Sequence, residues 1–397
     1  MAGDRPPGPR GHWLRGNTPG YEADRLGFLR RAHAEYGDVF SFDARTVCVI
    51  DPVLAHEALV RTGDTFVTEL APHQSDRDID RVAARAVAWM AARRTAWPGL
   101  GRTAAAAADA LTTTTLDQIL TSAADHEADV PALMYEHSAR AIAGYCFGPE
   151  AAGVPELLAE NLTAVEGSRR RFAAVHARTI AELTRLVTRR RERGGGADLL
   201  GFLLEAGMTD RTVVPTLRSI LLGGHGVPGA ALTSVVRELA LRPELVAGLR
   251  AAPDPLPLAE AVAREVLRLY PPAWLMTRTA RTATTLGRWS LRTGDEVLLN
   301  AYLIHRDPRW WPDPDTFDPG RWSPGRPLPP ARAFLPFGAG PRVCLGAALT
   351  LRQLALATAH LARHWSIDSP NAASAPLQVS GRLSPEGLRA RFSPAPG

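Results

Sequence analysis

The chain has 397 residues, 45% hydrophobic and 22% charged, which supplies a sizeable core and excludes a long disordered acidic or basic tail. Its 46 basic residues, every one an Arg, exceed the 41 acidic ones by a net +5, an excess too small and too spread for nucleic acid and better matched to a basic patch for an acidic protein partner. No apolar run of about eighteen residues marks a membrane span, Met1 to Gly20 lacks a secretory core, and Cys48, Cys146 and Cys344 are too few for a disulfide framework, so a soluble, cytoplasmic protein is expected.

Arg25 to Tyr36 carries a helical pattern, and Asp38 to Ile50 alternates as strands about the turn-prone Asp43-Ala44-Arg45. Helices dominate from there. Val82 to Leu111 is Ala-rich and broken at Pro98-Gly99, while the Ala104 to Ala108 and Thr112 to Thr115 runs read as surface helix and its end. Ala132 to Cys146 is apolar at helical spacing, and Arg170 to Arg193 is a basic amphipathic segment. Gly194-Gly195-Gly196 closes it as a linker, because no Lys-Ser/Thr follows to make a phosphate cradle. Thr212 to Leu241 has the length of one helix, yet Gly223-Gly224-His225-Gly226-Val227-Pro228-Gly229 falls in its middle. Gly and Pro weaken a helix interior by about 1 and about 3 kcal/mol, so the cluster predicts a widening or kink, or a meeting of two helices. Leu258 to Tyr270 is helical, and Pro271-Pro272 turns the chain into strand-like runs that include Thr284 to Leu291 and Glu296 to Leu299. Residues 308–341 are irregular and rich in Pro, Gly, Asp and Trp, a length that asks for a functional reason. Ala347 to Trp365 resumes an apolar helix before terminal turns and short strands. With no composition shift and no repeat, one domain over 1–397 is expected.

Chemistry concentrates in Pro336-Phe337-Gly338-Ala339-Gly340-Pro341-Arg342-Val343-Cys344-Leu345-Gly346, directly before that last helix. Glycines allow a tight loop with close backbone approach, and backbone amides with the following helix N-terminus favour negative charge on sulfur. Such a thiolate is a soft ligand for iron. Two other readings stand beside it: a buried structural cysteine, and a nucleophile whose His base no spacing identifies. Glu265 and Arg268 share one face of their helix, where Val262, Val266 and Leu269 form the apolar stripe; alone, such a pair is a common surface ion pair. His360 and His364 have helical metal-pair spacing without a third ligand, Asn161-Leu162-Thr163 matches a glycosylation acceptor by chance, and Cys48 and Cys146 read as packing residues.

The cysteine segment resembles the haem-binding signature of the cytochrome P450 family, in which Phe, Gly, a basic residue, Cys and Gly recur at this spacing. Glu265-x-x-Arg268 and Phe317-Asp318-Pro319-Gly320-Arg321-Trp322 resemble two further family motifs in the expected order, which implies that Glu265, Arg268 and Arg321 form a buried network holding the loop beneath the haem. Trp89-Met90-Ala91-Ala92-Arg93 is similar to the family's Trp-x-x-x-Arg, and Arg278 and Arg342 match two more propionate-binding positions; core packing for Trp89 and a solvated face for Arg93 are the alternatives the residues alone leave open. The resemblance implies the cytochrome P450 fold, mainly α with a small β region. It implies haem b (iron protoporphyrin IX) between the long helix and the helix after Cys344, with Cys344 on the metal, Phe337 shielding its sulfur, and Gly223, Gly224, Pro336, Gly338 and Gly346 against the ring.

The chain departs from the family at the long helix. Where most members carry an acid and an alcohol that deliver protons during oxygen activation, this chain has Gly226 and Val227, neither able to relay a proton through a side chain. His225 is an alternative relay, but a residue at that position points away from the iron in members that hydroxylate, which favours a structural role. Substrate or water carrying the proton, peroxide as oxidant, and chemistry without oxygen insertion are the other options. The stretch between Phe147 and Arg170, part of the family's substrate lid, is short here. Arg268 to Trp274 resembles members acting on terpenoids and related natural products, with Leu222, Gly226, Val227, Leu275 and Met276 expected to line an apolar pocket. The expected activity is a monooxygenase acting on a small lipophilic substrate, fed by a ferredoxin and its reductase docking near Arg81, Arg85, Arg94 and Arg102, with no nucleic-acid or membrane partner. Ring coupling, desaturation, rearrangement, a haem sensor without turnover, and a cysteine hydrolase are the competing functions.

Overall fold

A computed structural model of the chain describes residues 5–12, 15–68, 89–101, 104, 106–124, 126–164, 168–327 and 330–396. Helices carry most of it. Local signals start several of them: Asp129 accepts the Ala132 N–H at 2.9 Å with Pro131 in the first turn, and Ser168 accepts the Arg171 N–H at 3.2 Å. The resulting helices, Val130–Phe147 and Arg169–Arg193, flank the central helix Asp210–Leu241.

That central helix runs unbroken for 32 residues through both Pro215 and Pro228, so it is not a meeting of two helices. Packing overrides propensity. Val213, Leu217, Leu221, Leu232, Val235, Val236 and Leu239 are all buried along it, and each such side chain is worth about 1.5–3 kcal/mol, more than the local cost of Gly and Pro. The glycines admit a neighbour. A Cβ at 224 would stand 2.6 Å from Ile142 Cγ1, and one at 229 would collide with Tyr135, both on Val130–Phe147. By length and composition the central helix suffices to cross a membrane, but 72% of its most apolar window is buried inside the protein.

The Thr112 to Thr115 run also differs from expectation. It lies within the helix Asp109–Ser122 rather than at its end, and Thr112 and Thr115 are buried, with the Thr112 hydroxyl donating to the Ala108 carbonyl at 2.8 Å.

One core joins the C-terminal half of the central helix to Leu256–Leu269 and Ala347–His364 through Val235, Val262, Val266 and Leu354. A second lies under a five-stranded sheet ordered Val39–Ser41, Thr46–Val49, Glu296–Asn300, Leu275–Ala280 and Phe66–Val67, in which only the Thr46–Val49 and Glu296–Asn300 pairing is parallel. Cys48 is buried in this sheet and Cys146 in Val130–Phe147, as packing residues.

Candidate functional site

Residues 336–346 form a hook. Gly338 and Gly340 adopt φ of 67° and 69°, and a Cβ at 340 would lie 2.5 Å from the Leu59 carbonyl oxygen, so both turns need glycine. The Cys344 N–H donates to the Phe337 carbonyl at 2.8 Å, closing the hook just before Gly346 caps Ala347–His364. Burial pushes the Cys344 thiol above its ordinary range, while the Gly346 N–H and the Arg93 guanidinium pull it the other way.

The hook is anchored to the helix Leu256–Leu269. Glu265 and Arg268, both fully buried, pair through Nε–Oε2 at 2.9 Å and Nη2–Oε1 at 2.7 Å. Glu265 also accepts from the Asp318 N–H at 2.9 Å, Arg321 Nε at 3.3 Å and Trp322 Nε1 at 3.1 Å. Arg268 donates to the carbonyls of His305, Pro314 and Thr316. His305, unnoticed in the sequence, completes the link: its Nδ1 meets the Arg268 carbonyl at 3.1 Å, so Nε2 accepts the Leu335 N–H at 2.8 Å. Burial pushes its pKa down to about 3, which keeps it neutral.

Beside Cys344 lies a cavity of about 210 Å³. Its lining brings together Ser219, Ile220, Gly223 and Gly224 of the central helix, Cys344, Gly346, Leu349 and Gln353, and Trp89 and Arg93 of the helical residues 89–96. A Cβ at Gly223 would meet nothing within 4 Å, so the helix presents bare backbone to open space. The cavity's lining does not include Leu222, Gly226, Val227, Leu275 or Met276. Met276 instead faces the hook, with Sδ 3.5 Å from a Cβ position on Gly338.

Positive charge gathers at the Trp89 end. Arg342 stacks over the Trp89 ring at 4.1 Å and Arg93 lies 5.3 Å from the same ring. Arg93 is only 7% exposed, and its Nη2 is buried without a hydrogen-bond partner. Burial and the neighbouring Arg342 charge both depress its pKa. Arg278 donates to Thr62 Oγ1 at 2.6 Å and the Thr277 carbonyl at 2.7 Å, and burial with Arg342 lowers it to about 10. Among the described residues neither Arg93 nor Arg278 hydrogen-bonds a carboxylate. A soft sulfur donor, a bare helix face and an arginine with an unused buried donor fit a flat metal macrocycle carrying carboxylates.

His225 is buried and turns its edge to Tyr135, with ring centroids 6.0 Å apart; burial first, then the Arg382 charge, lower its pKa to about 4. It does not line the cavity. Arg382, which no motif singled out, lies over Gly226: a Cβ there would be 3.2 Å from its Nη1. Among the remaining candidates, Arg94 is exposed, and Arg81, Arg85 and Arg102 lie outside the described residues. His360 pairs with Asp117 at 2.6 Å, and among the described residues no group of three metal-ligating side chains occurs. Asn161 is buried and donates to Thr179 at 2.8 Å.

The chain matches the family model described as Cytochrome P450 over residues 168–384. It is 36% identical over 173 residues to cyclooctatin synthase of Streptomyces melanosporofaciens, covering 40% of this chain and 38% of that protein. It is 33% identical over 221 residues to cyclooctat-9-en-7-ol 5-monooxygenase of the same organism, covering 50% and 48%. The chain thus spans less than half the length of these curated relatives. The crystal structure of the cytochrome P450DA heme domain superposes with a TM-score of 0.85 at 20% identity, covering 100% of this chain and 98% of that one. Retinoic acid bound cyanobacterial CYP120A1 gives 0.84 at 19%, covering all of both chains.

Proposed function

The chain belongs to the cytochrome P450 family, and from that premise we propose that it is a haem-thiolate oxidoreductase whose reaction is monooxygenation of a small lipophilic substrate of the terpenoid class. One observation carries this reading: Cys344 lines one cavity together with Gly223 and Gly224 of the central helix and with Arg93, whose Nη2 is buried and unpaired. When bound, haem b supplies redox-active iron for splitting dioxygen with two electrons. Cys344 would hold its iron through sulfur; Arg93, Arg278 and Arg342 with Trp89 would hold its carboxylates. Gly223 offers bare backbone to the cavity, and Phe337 packs against the C-terminal core. The Glu265–Arg268–His305 linkage fixes the hook, so the sulfur is placed before any ligand arrives.

The terpenoid class rests on the two Streptomyces relatives, one of them named as a monooxygenase. Electrons would come from a ferredoxin and its reductase, with exposed Arg94 among the contacts for an acidic surface. The cytoplasm is the compartment this reading takes, supported by burial of the long apolar helix in the core.

A second reading, oxidation without hydroxylation such as ring coupling, desaturation or rearrangement, draws on Gly226 and Val227. Neither side chain carries a proton, and neutral His225 faces Tyr135 rather than the cavity. The reduced, carbon monoxide-bound spectrum tests the common premise: a strongly red-shifted Soret band is expected, and its absence refutes thiolate ligation. Turnover of terpenoid alcohols under labelled dioxygen then separates the readings, since insertion places label in the product and coupling leaves it out.

A further inference from the structure

The space in front of Gly226 is filled by a cation that belongs to a distant part of the chain. Arg382 sits in the turn between the paired strands Leu377–Val379 and Leu383–Pro385. Its Nη1 and Cζ lie 3.2 Å and 3.4 Å from where a Cβ on Gly226 would be, and Leu162 Cδ1 lies 3.4 Å from the same point. The guanidinium lies 5.8 Å from the centroid of the Tyr135 ring. Its Nε is buried and has no partner, and no carboxylate among the described residues hydrogen-bonds the group. The titratable neighbour, His225, is neutral.

Only the Nε is buried without a partner while the residue as a whole is half-buried, so the guanidinium is open to a partner from outside the chain. A guanidinium fork matches a carboxylate through two parallel hydrogen bonds. Gly226 lies three residues beyond Gly223 on the same helix, about 4.5 Å along its axis, so Arg382 stands close to the cavity without lining it. Leu162 and Tyr135 add apolar surface around the charge.

We propose that Arg382, over the bare Gly226, is a specificity-determining anchor for the carboxylate of an apolar monocarboxylic acid. The proposal rests on the reading of the protein as acting on a lipophilic substrate and narrows that substrate to acids. The step is binding alone; no bond forms or breaks.

Isothermal titration of the purified full chain with farnesoic acid against farnesol, and dodecanoic acid against 1-dodecanol, tests it without turnover. At least one acid should bind ten-fold or more tightly than its alcohol, and Arg382→Gln should erase that preference while leaving alcohol affinity within two-fold. Gly226→Asp, which places an internal carboxylate against Arg382, should erase it as well and raise the melting temperature. Equal affinity of acid and alcohol for both pairs overturns the proposal, as does an acid preference that survives either variant. Haem-thiolate ligation is read separately from the carbon monoxide spectrum of the same samples, so loss of the spectrum and loss of acid preference are distinguishable failures.

Discussion

Replacing Glu265 by Gln tests the network that holds the cysteine hook. The carboxylate accepts five hydrogen bonds, two from Arg268 and one each from the Asp318 N–H, Arg321 and Trp322. The amide keeps one acceptor oxygen and turns the other position into a donor facing donors. It also leaves the fully buried Arg268 cation without a carboxylate, its donors meeting neutral acceptors such as the carbonyls of His305, Pro314 and Thr316. Breaking a buried pair from one side costs about 3–5 kcal/mol. Against a whole-domain stability of about 5–15 kcal/mol, that is a large fraction. Glu260→Gln on the same helix is the control: its pair with Arg264, at 45% and 35% side-chain exposure, is worth about 0–1 kcal/mol. Equilibrium urea unfolding, followed by tryptophan fluorescence and circular dichroism, gives both values from the shift in midpoint at constant slope. Glu265→Gln should lose at least about 3 kcal/mol and Glu260→Gln less than about 1. Equal losses would refute the view that the network, rather than local helix propensity, sets the hook.

Three buried histidines give the chain an acid limit. His305 is lowered to about 3 and His137 and His225 to about 4, all by burial first, from an ordinary 6.5. Their stabilisation is complete above pH 6.5 and drains as pH falls toward those values, by up to about 1.4 kcal/mol per histidine per unit; a flat melting temperature from pH 7 to 4.5 contradicts this, and His305→Gln should weaken the dependence. Arg93→Met should leave the melting temperature of haem-depleted protein unchanged or higher, because an unmatched buried cation is removed, while haem retention on dilution falls at least ten-fold; destabilisation of the depleted protein would show that Arg93 serves the fold. Gly224→Ala should cost about 1–3 kcal/mol by overpacking against Ile142, and Ile142→Ala in the same chain should recover most of it in a double-mutant cycle; additive losses would place the crowding elsewhere.

Much of the site is legible because its signals are local. Gly338 and Gly340 bracket the hook within a few residues of Cys344, and Glu265 with Arg268 is fixed by helical spacing. The mixed identity of the central helix was not legible. Its Gly and Pro content predicts a break, yet the helix is continuous, because Gly224 and Gly229 are the positions where Ile142 and Tyr135 press against it. His305 carried no motif, since its value lies in bridging the Arg268 carbonyl and the Leu335 amide across three separate segments.

The glycines that shape the loop and the spacing that puts Glu265 and Arg268 on one helix face were legible from short-range backbone sterics and helical periodicity, which operate within a few residues. The role of the Cys344 sulfur, the burial of the pair and the missing acid and alcohol at 226 and 227 came from the resemblance to the family. Tertiary structure decided what stands in the emptied space. Arg382 reaches Gly226 only because a terminal hairpin folds back over the central helix, and a contact between residues so far apart is set by packing, for which no local pattern exists.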